Sequence, residues 1–488
     1  MAEAEDKYRK LLAKQSKTLV DAVNEYRRRY GREPPRGFGD WWKFAVEHDV
    51  KMMDEYDGMV EDLAPFWELP GEELRRRAVQ VGNFPTVDLV RLRDGKAVLM
   101  NLPDMDFPIN ALAEGRVLVP WEHLGEFDAG WGGGNGGVWS RFRQTCHPES
   151  PARRTNPVNY LNSTNFASES GDDFHFSKTV DNKFDFCSNP AARFNQGHFF
   201  SNWRAIQHSP GFSDIRIPSH YNYIPTAQYS YGWDHAHQVH KELDDMEIPW
   251  QHKNNTIFWR GRSTGGGNTP GGFAPGYQHT RKAVVFSRPP NSSSYEQANV
   301  PRSKLNDEIM DVAFVKSTND KGYPGGYEAL RKAHRFAAQI PLYHNWKYKY
   351  LVDLDGMGYS ARFLAFLASD SAVIKSTVYS ESFSDWIQPW LHYIPLSQGY
   401  HELYNIYPFF SGPTESMLHA ANSSALSDNS IIRHAEDGDR RLRRIAQAGK
   451  EWKRTVGRTI DMEVYVYRLC LEWGRLWSED RDSMNFTM

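Results

Sequence analysis

The residues best suited to chemistry lie in two glycine-bearing stretches. The first is Asp355-Gly356-Met357-Gly358-Tyr359-Ser360-Ala361-Arg362-Phe363. Glycines such as Gly358 let a backbone approach a ligand at the end of a strand. Ser360 is placed to cap a helix whose free N–H groups would form an anion site. Arg362 adds a fork of donors that suits a diphosphate. An ordinary capped helix with a surface arginine would show the same pattern. The second stretch, Arg260-Gly261-Arg262-Ser263-Thr264, puts two guanidinium groups and two hydroxyls after a short apolar run. Those groups could complete a diphosphate clamp or line a solvated loop.

Other groups carry less. Asp353-Leu354-Asp355 is a DxD pair of the kind that holds a divalent cation and a diphosphate in some transferases. His235, His237 and His240 could ligate zinc, but no carboxylate or cysteine spacing accompanies them. His279 and Arg281 follow a second glycine-rich loop and could reach phosphates. Gly130–Gly137 lacks the Lys-Ser/Thr of a P-loop and reads as a turn or flexible lid.

The elements that must position these groups follow from periodicity. Tyr8, Leu12, Leu19, Val23, Tyr26 and Tyr30 recur at helical spacing and predict one amphipathic helix. It ends at Gly31 and Pro34-Pro35. A second helix is expected over 40–56. Residues 87–92 and 96–101 read as two strands joined by Asp94-Gly95. From about residue 250 the order becomes strand, loop, helix, strand: strands at 256–259, 350–354, 372–375 and 392–396, with a helix over 360–369. That is the unit of a doubly wound sheet. Helices at 440–455 and 461–477 close the chain.

The totals set bounds. A chain of 488 residues suits two domains plus an extension. The content of 40% hydrophobic and 24% charged residues is that of a globular protein. A formal net charge of -3 gives no electrostatic case for nucleic acid. The 16 tryptophans suit either carbohydrate surfaces or an aromatic core. No apolar run reaches 18 residues, and the polar start suits a cytosolic protein or the lumenal part of an anchored one. Cys146 and Cys187 lie in loop-like sequence and could bridge. Five glycosylation sequons, beginning at Asn162, Asn254, Asn291, Asn422 and Asn485, permit a secretory location.

Several stretches together resemble glycosyltransferase family 90, which includes fungal capsule-associated β-xylosyltransferases and Rumi-type protein O-glucosyltransferases. They are NTIFWRGRSTGG from Asn255, KYLVDLDGMGYSARFLAFLASDSAVIKSTVYSESFSDWIQPWLHYIPL from Lys349 to Leu396, LPDMDFPINALAEGRVLVPWE from Leu102, and IAQAGKEWKRTVGRTIDMEVYVYRLCLEWGRL from Ile445. PPRGFGDWWKFA, from Pro34, is similar to the fungal members. The resemblance implies a GT-B fold with two Rossmann-like domains facing across a cleft, and C-terminal helices returning to the N-terminal domain. The expected division is a helical segment 1–60, an acceptor domain 61–245, a UDP-sugar domain 246–415 and C-terminal helices 416–488. The implied reaction is an inverting, metal-independent transfer from a UDP-sugar, xylose first and glucose or another hexose next, to a glycan or glycoprotein hydroxyl. The implied location is the Golgi or ER lumen, as the soluble part of a type II membrane protein. Arg260, Ser360, Arg362 and Phe363 match the family's donor motifs, with Gly261, Arg262, Ser263 and Gly358 beside them. Glu381 sits where a carboxylate could hold sugar hydroxyls. Trp390 and His392 match a further motif.

An inverting transfer needs a base for the acceptor hydroxyl. The Asp that serves relatives falls here at Ala113. Glu114 is the first substitute, then Asp106 and Asp104. The alternative is a non-catalytic nucleotide-sugar or glycan-binding protein.

Overall fold

The computed structural model describes residues 1–81, 88–91, 98–101, 143, 146–154, 176–180, 185–188, 190, 215–219, 222, 247–263, 283–287, 295–317, 325–356, 359–397, 400, 402–420 and 428–488. Among them lies one five-stranded, all-parallel sheet. In chain order its strands are β1 (Asn254–Arg262), β2 (Met310–Lys316), β3 (Tyr348–Leu354), β4 (Ala372–Ser376) and β5 (Ile394–Pro395). In space the order is β2-β1-β3-β4-β5. The register sets Phe258 beside Asp311, Leu351 beside Val373 and Asp353 beside Lys375. The central strands read as unbroken apolar runs because both faces of a parallel sheet are covered. Tyr350, Leu351, Val373 and Ile374 are fully buried.

Because β1 lies between β2 and β3, the strand order reverses there. A crevice opens outside the carboxyl ends of strands at such a point, and ligands of open α/β sheets bind in it. The chain at that edge is Gly261-Arg262-Ser263 after β1 and Asp355-Gly356 after β3. The two glycine-bearing stretches thus flank the switch point.

Two antiparallel pairs complete the strands among the described residues: Asp88–Arg91 with Val98–Asn101, and Ala283–Ser287 with Tyr295–Asn299. The first pair matches the expected hairpin. Most of the rest of 61–245 lies outside the described residues, including the expected acceptor domain, Gly130–Gly137 and the three histidines at 235–240.

Three expected helices differ. The N-terminal one is two, Ala2–Lys14 and Leu19–Tyr30. Gln15 breaks it: its Oε1 accepts the N–H of Met53 at 2.8 Å and of Asp54 at 3.0 Å. Thr18 then caps the second helix through the Asp21 N–H at 3.1 Å. The next helix, Phe38–Glu47, stops well before residue 56. The helix expected over 360–369 spans only Phe363–Leu367. Asp428–Thr455 and Thr459–Trp477 form the C-terminal pair. The first packs along Leu403–Ser411 so closely that a Cβ on Gly438 would lie 2.2 Å from the Phe410 carbonyl oxygen.

Residues 1–76 are not a free extension. Val23, Tyr26, Phe38, Trp41, Met52, Tyr56, Met59 and Phe66 share one core with Phe363, Val373, Trp386, Trp452 and Tyr465. Buried tryptophans such as Trp41, Trp346 and Trp452 are therefore core rather than carbohydrate platforms. Cys146 and Cys187 form a disulfide with their Cα atoms 5.5 Å apart.

Candidate functional site

At the carboxyl ends of β3 and β4 the sequence places several polar side chains, and folding buries them together. Asp353 is the last inward residue of β3 and is fully buried. It accepts from the Ser360 hydroxyl and, at 3.1 Å, from Lys375 of β4. Lys375 also pairs with Glu381 at 3.1 Å and rests 4.1 Å from the centre of the Phe363 ring. Burial would lower the Lys375 ammonium, but Glu381, Asp353 and Asp355 together hold it above the usual lysine range. Burial pushes the Glu381 carboxyl up, against the pull of Lys375. Asp355 accepts the Val378 N–H at 2.8 Å through Oδ2. Burial raises its carboxyl to about 7, against a Thr377 hydrogen bond and the Lys375 charge.

The predicted donor residues divide. Ser360, Phe363 and Glu381 meet around Lys375. Ser360 does not cap a helix as expected: its hydroxyl is committed to Asp353, and the helix begins three residues later with five residues. The expected helix-terminus anion site is corrected accordingly. Arg260 turns back along the sheet. Its Nη2 meets Asp311 Oδ1 at 2.8 Å and its Nη1 the Asp311 carbonyl at 2.7 Å. Arg335 and Tyr348 bind the same carboxylate at 2.5 and 2.8 Å. The physical reason is that Asp311 stands two positions before the Arg260 partner Ala313, within reach along β2. Arg362 donates to the Arg260 carbonyl at 2.5 Å and lies against Trp259 and Phe366. Gly261 faces the Trp259 indole, which a Cβ would meet at 2.3 Å. Ser263 is buried and its N–H meets the Lys316 carbonyl at 3.2 Å, whereas Arg262 is exposed at the end of β1. Gly358, Glu114, Asp106 and Asp104, with Ala113, His279 and Arg281, lie outside the described residues.

Trp390 and His392 are structural. Trp390 Nε1 donates to the Ser177 carbonyl at 2.7 Å. His392 is buried edge-on to Tyr8, its Nδ1 accepts the Gln388 N–H at 2.9 Å, and burial lowers it to about 3.

Sequence reasoning missed a second cluster beside the first. Arg216, far from either partner in the chain, pairs with Asp62 at 3.0 Å and Asp385 at 3.5 Å. Asp385 also accepts the Gly58 N–H at 2.9 Å. Ser219, three residues on, meets the hydroxyl of Tyr359, next to Ser360. Asp385 stands on the turn whose first residue is Glu381. The strap 215–219 thus ties the N-terminal segment to both sides of the Lys375 cluster. A Cβ on Gly58 would fall 2.0 Å from Arg216 Nη1 and 2.5 Å from Asp385 Oδ2. Gly58→Ala is therefore expected to destabilise by roughly 2–3 kcal/mol, as overpacking does. A shift in urea midpoint checks it.

Stability also acquires a pH signature. Burial puts the Asp355 carboxyl at about 7 and that of Asp62 at about 6. A raised carboxyl favours the fold fully below its unfolded value, and that contribution fades as pH rises through the folded value. Asp355→Asn removes this loss. The variant should melt above the parent at pH 8, and the gap should close as the pH falls below about 4, the unfolded carboxyl value. A constant offset at both pH values would place the Asp355 carboxyl in the ordinary range.

Comparison with known proteins fits this architecture. Residues 283–407 match the family described as Glycosyl transferase family 90, so the chain carries a family 90 region. That region spans the end of the switch-point strand β3 and the whole Lys375 cluster. A curated relative, "Protein O-glucosyltransferase 2" of Danio rerio, is 25% identical over 228 residues, which cover 46% of this chain and 34% of the relative. The chain thus matches about a third of that relative's length.

Proposed function

We propose that this protein is a glycosyltransferase that moves a sugar from a UDP-sugar to a glycan or glycoprotein hydroxyl. The observation that carries the reading is the coincidence of the family 90 region with the carboxyl edge of β3 and β4, beside the reversal in strand order. Arg262, exposed at the end of β1, and Arg362 supply positive charge for the departing diphosphate. Lys375 supplies positive charge between Asp353 and Glu381, the part a divalent ion would take in a DxD transferase, which supports a metal-independent reaction. The scaffold proposed is GT-B, with 61–245 as the acceptor domain. Inversion needs a carboxylate from the 104–114 segment, with Glu114 first.

Xylose and glucose are the donors to separate. The PPRGFGDWWKFA segment favours xylose; the likeness to a protein O-glucosyltransferase of Danio rerio favours glucose. The Cys146–Cys187 bond supports an oxidising compartment, which agrees with a Golgi or ER lumen. No helix among the described residues is long and apolar enough to cross a membrane.

The test is a donor screen. The protein is incubated with UDP-xylose, UDP-glucose, UDP-galactose, UDP-glucuronate and GDP-mannose, with glycan and glycopeptide acceptors and EDTA. Nucleotide release and product mass are followed. Release of UDP with one sugar added is expected. UDP binding without release from any donor would favour the non-catalytic reading that Ala113 raises. Release only after manganese is restored would return Asp353 and Asp355 to a metal role.

A further inference from the structure

The Lys375 cluster leaves one group unused. Asp353 accepts from Ser360 and Lys375, and Glu381 pairs with Lys375. Asp355 Oδ2 is held by the Val378 N–H at 2.8 Å, and its carboxyl also accepts from Thr377. Its Oδ1 is enclosed, yet among the described residues it has no hydrogen-bond partner. An enclosed acceptor left unmet carries an uncompensated desolvation cost. A fold tolerates that where another molecule brings the donor. The carboxyl plane is fixed from the Val378 side, so Oδ1 has a set direction before any ligand arrives.

Its position says where such a donor would come from. Asp355 is the first residue beyond β3, on the carboxyl edge of the sheet and beside the strand-order reversal. Its neighbours decide the chemistry. Asp355 is itself a carboxyl and feels the Asp353 carboxylate beside the Lys375 ammonium, so a phosphate would meet repulsion from both carboxyls there. A neutral hydroxyl meets none and donates well to a carboxylate.

We infer that Asp355 Oδ1 accepts a hydrogen bond from a saccharide hydroxyl of the bound nucleotide sugar, making Asp355 a specificity-determining residue. This rests on the donor-site reading above. The hydroxyl belongs either to the transferred pyranose or to the ribose, and the two are separable by comparing UDP with UDP-sugar.

Asp355→Asn and Asp355→Ala are compared with the parent by calorimetric titration of UDP, UDP-glucose and UDP-xylose at pH 7.5, with melting temperatures recorded alongside. In Asp355→Asn the amide oxygen stays on the Val378 N–H, and the amide nitrogen replaces the free acceptor. Both variants should bind the preferred UDP-sugar about tenfold or more weakly, while Asp355→Asn melts no lower than the parent. If UDP itself keeps its affinity, the hydroxyl is on the pyranose. If UDP weakens equally, it is on the ribose. Parent and variants binding UDP and UDP-sugar alike would overturn the assignment and leave the donor site standing. A parent that binds neither UDP nor any UDP-sugar would overturn both.

Discussion

Lys375→Met is expected to remove about 3–5 kcal/mol of stability at pH 7.5, the scale of breaking one partner out of a buried ion pair. The Lys375 side chain is 4% exposed and that of Asp353 0%. Methionine fills much the same volume and still packs on Phe363, so lost packing explains little. What remains is Asp353 and Glu381 facing each other and Asp355 without a counter-charge. Two observations make the cause separable. Lowering the pH toward 5 protonates Asp355, whose carboxyl burial raises to about 7, and should recover part of the loss. Adding Asp353→Asn should also restore part of it, because a neutral amide still accepts from Ser360. A urea midpoint that stays near the parent value at pH 7.5 would show that water, rather than Lys375, solvates these carboxyls. The functional consequence is local as well: Ser360, Glu381 and Asp355 are held in register through this ammonium, so nucleotide affinity should fall even where the fold persists.

The parallel strands were legible because burial on both faces writes continuous apolar runs, as in Tyr350 to Leu354. Their carboxyl ends were legible because glycines follow them, which pointed to the ligand-facing edge before any sheet order was known. Lys375 was visible as one charged residue in the apolar strand AVIKS, a signal the motif reading passed over. The destination of Arg260 was not legible. Type and spacing said only that a guanidinium follows a strand, while its partner Asp311 is set by which strand comes to lie alongside. The same holds for Arg216, whose partners Asp62 and Asp385 are 154 and 169 positions away along the chain. Gln15 defeated helical periodicity in another way: the apolar pattern runs through it, but its amide is needed by the 53–54 backbone.

Arg468→Met should loosen the N-terminal segment by a comparable amount, about 3–5 kcal/mol. Arg468 comes from Thr459–Trp477 and is 2% exposed. Its guanidinium carbon lies 4.5 Å from the centre of Phe38, 4.7 Å from Trp41, 4.9 Å from Tyr26 and 5.5 Å from Tyr56. All four rings belong to residues 1–76. Desolvated contacts of this kind contribute about 2 kcal/mol or more in favourable cases. Its Nε also donates to Glu472 at 3.2 Å, and Glu472 further binds Arg475 at 2.6 Å and the Tyr26 hydroxyl at 3.0 Å. Burial would raise the Glu472 carboxyl, yet Arg468 and Arg475 hold it below its usual range. Methionine removes the charge at the middle of the cage and leaves Glu472 with Arg475 and the Tyr26 hydroxyl. The readout is limited proteolysis. The parent should resist cleavage at Gln15–Thr18 and near Asp49, where the segment turns. Arg468→Met should be cut there early, with a lower urea midpoint. If the first 76 residues were a spacer carrying the catalytic unit, cleavage would be equal in both proteins. The packing predicts the opposite, because the same segment supplies Gly58 and Asp62 to Arg216 and Asp385, and through them reaches the turn that carries Glu381. Losing the cage should therefore also weaken nucleotide binding in a site that contains none of its residues.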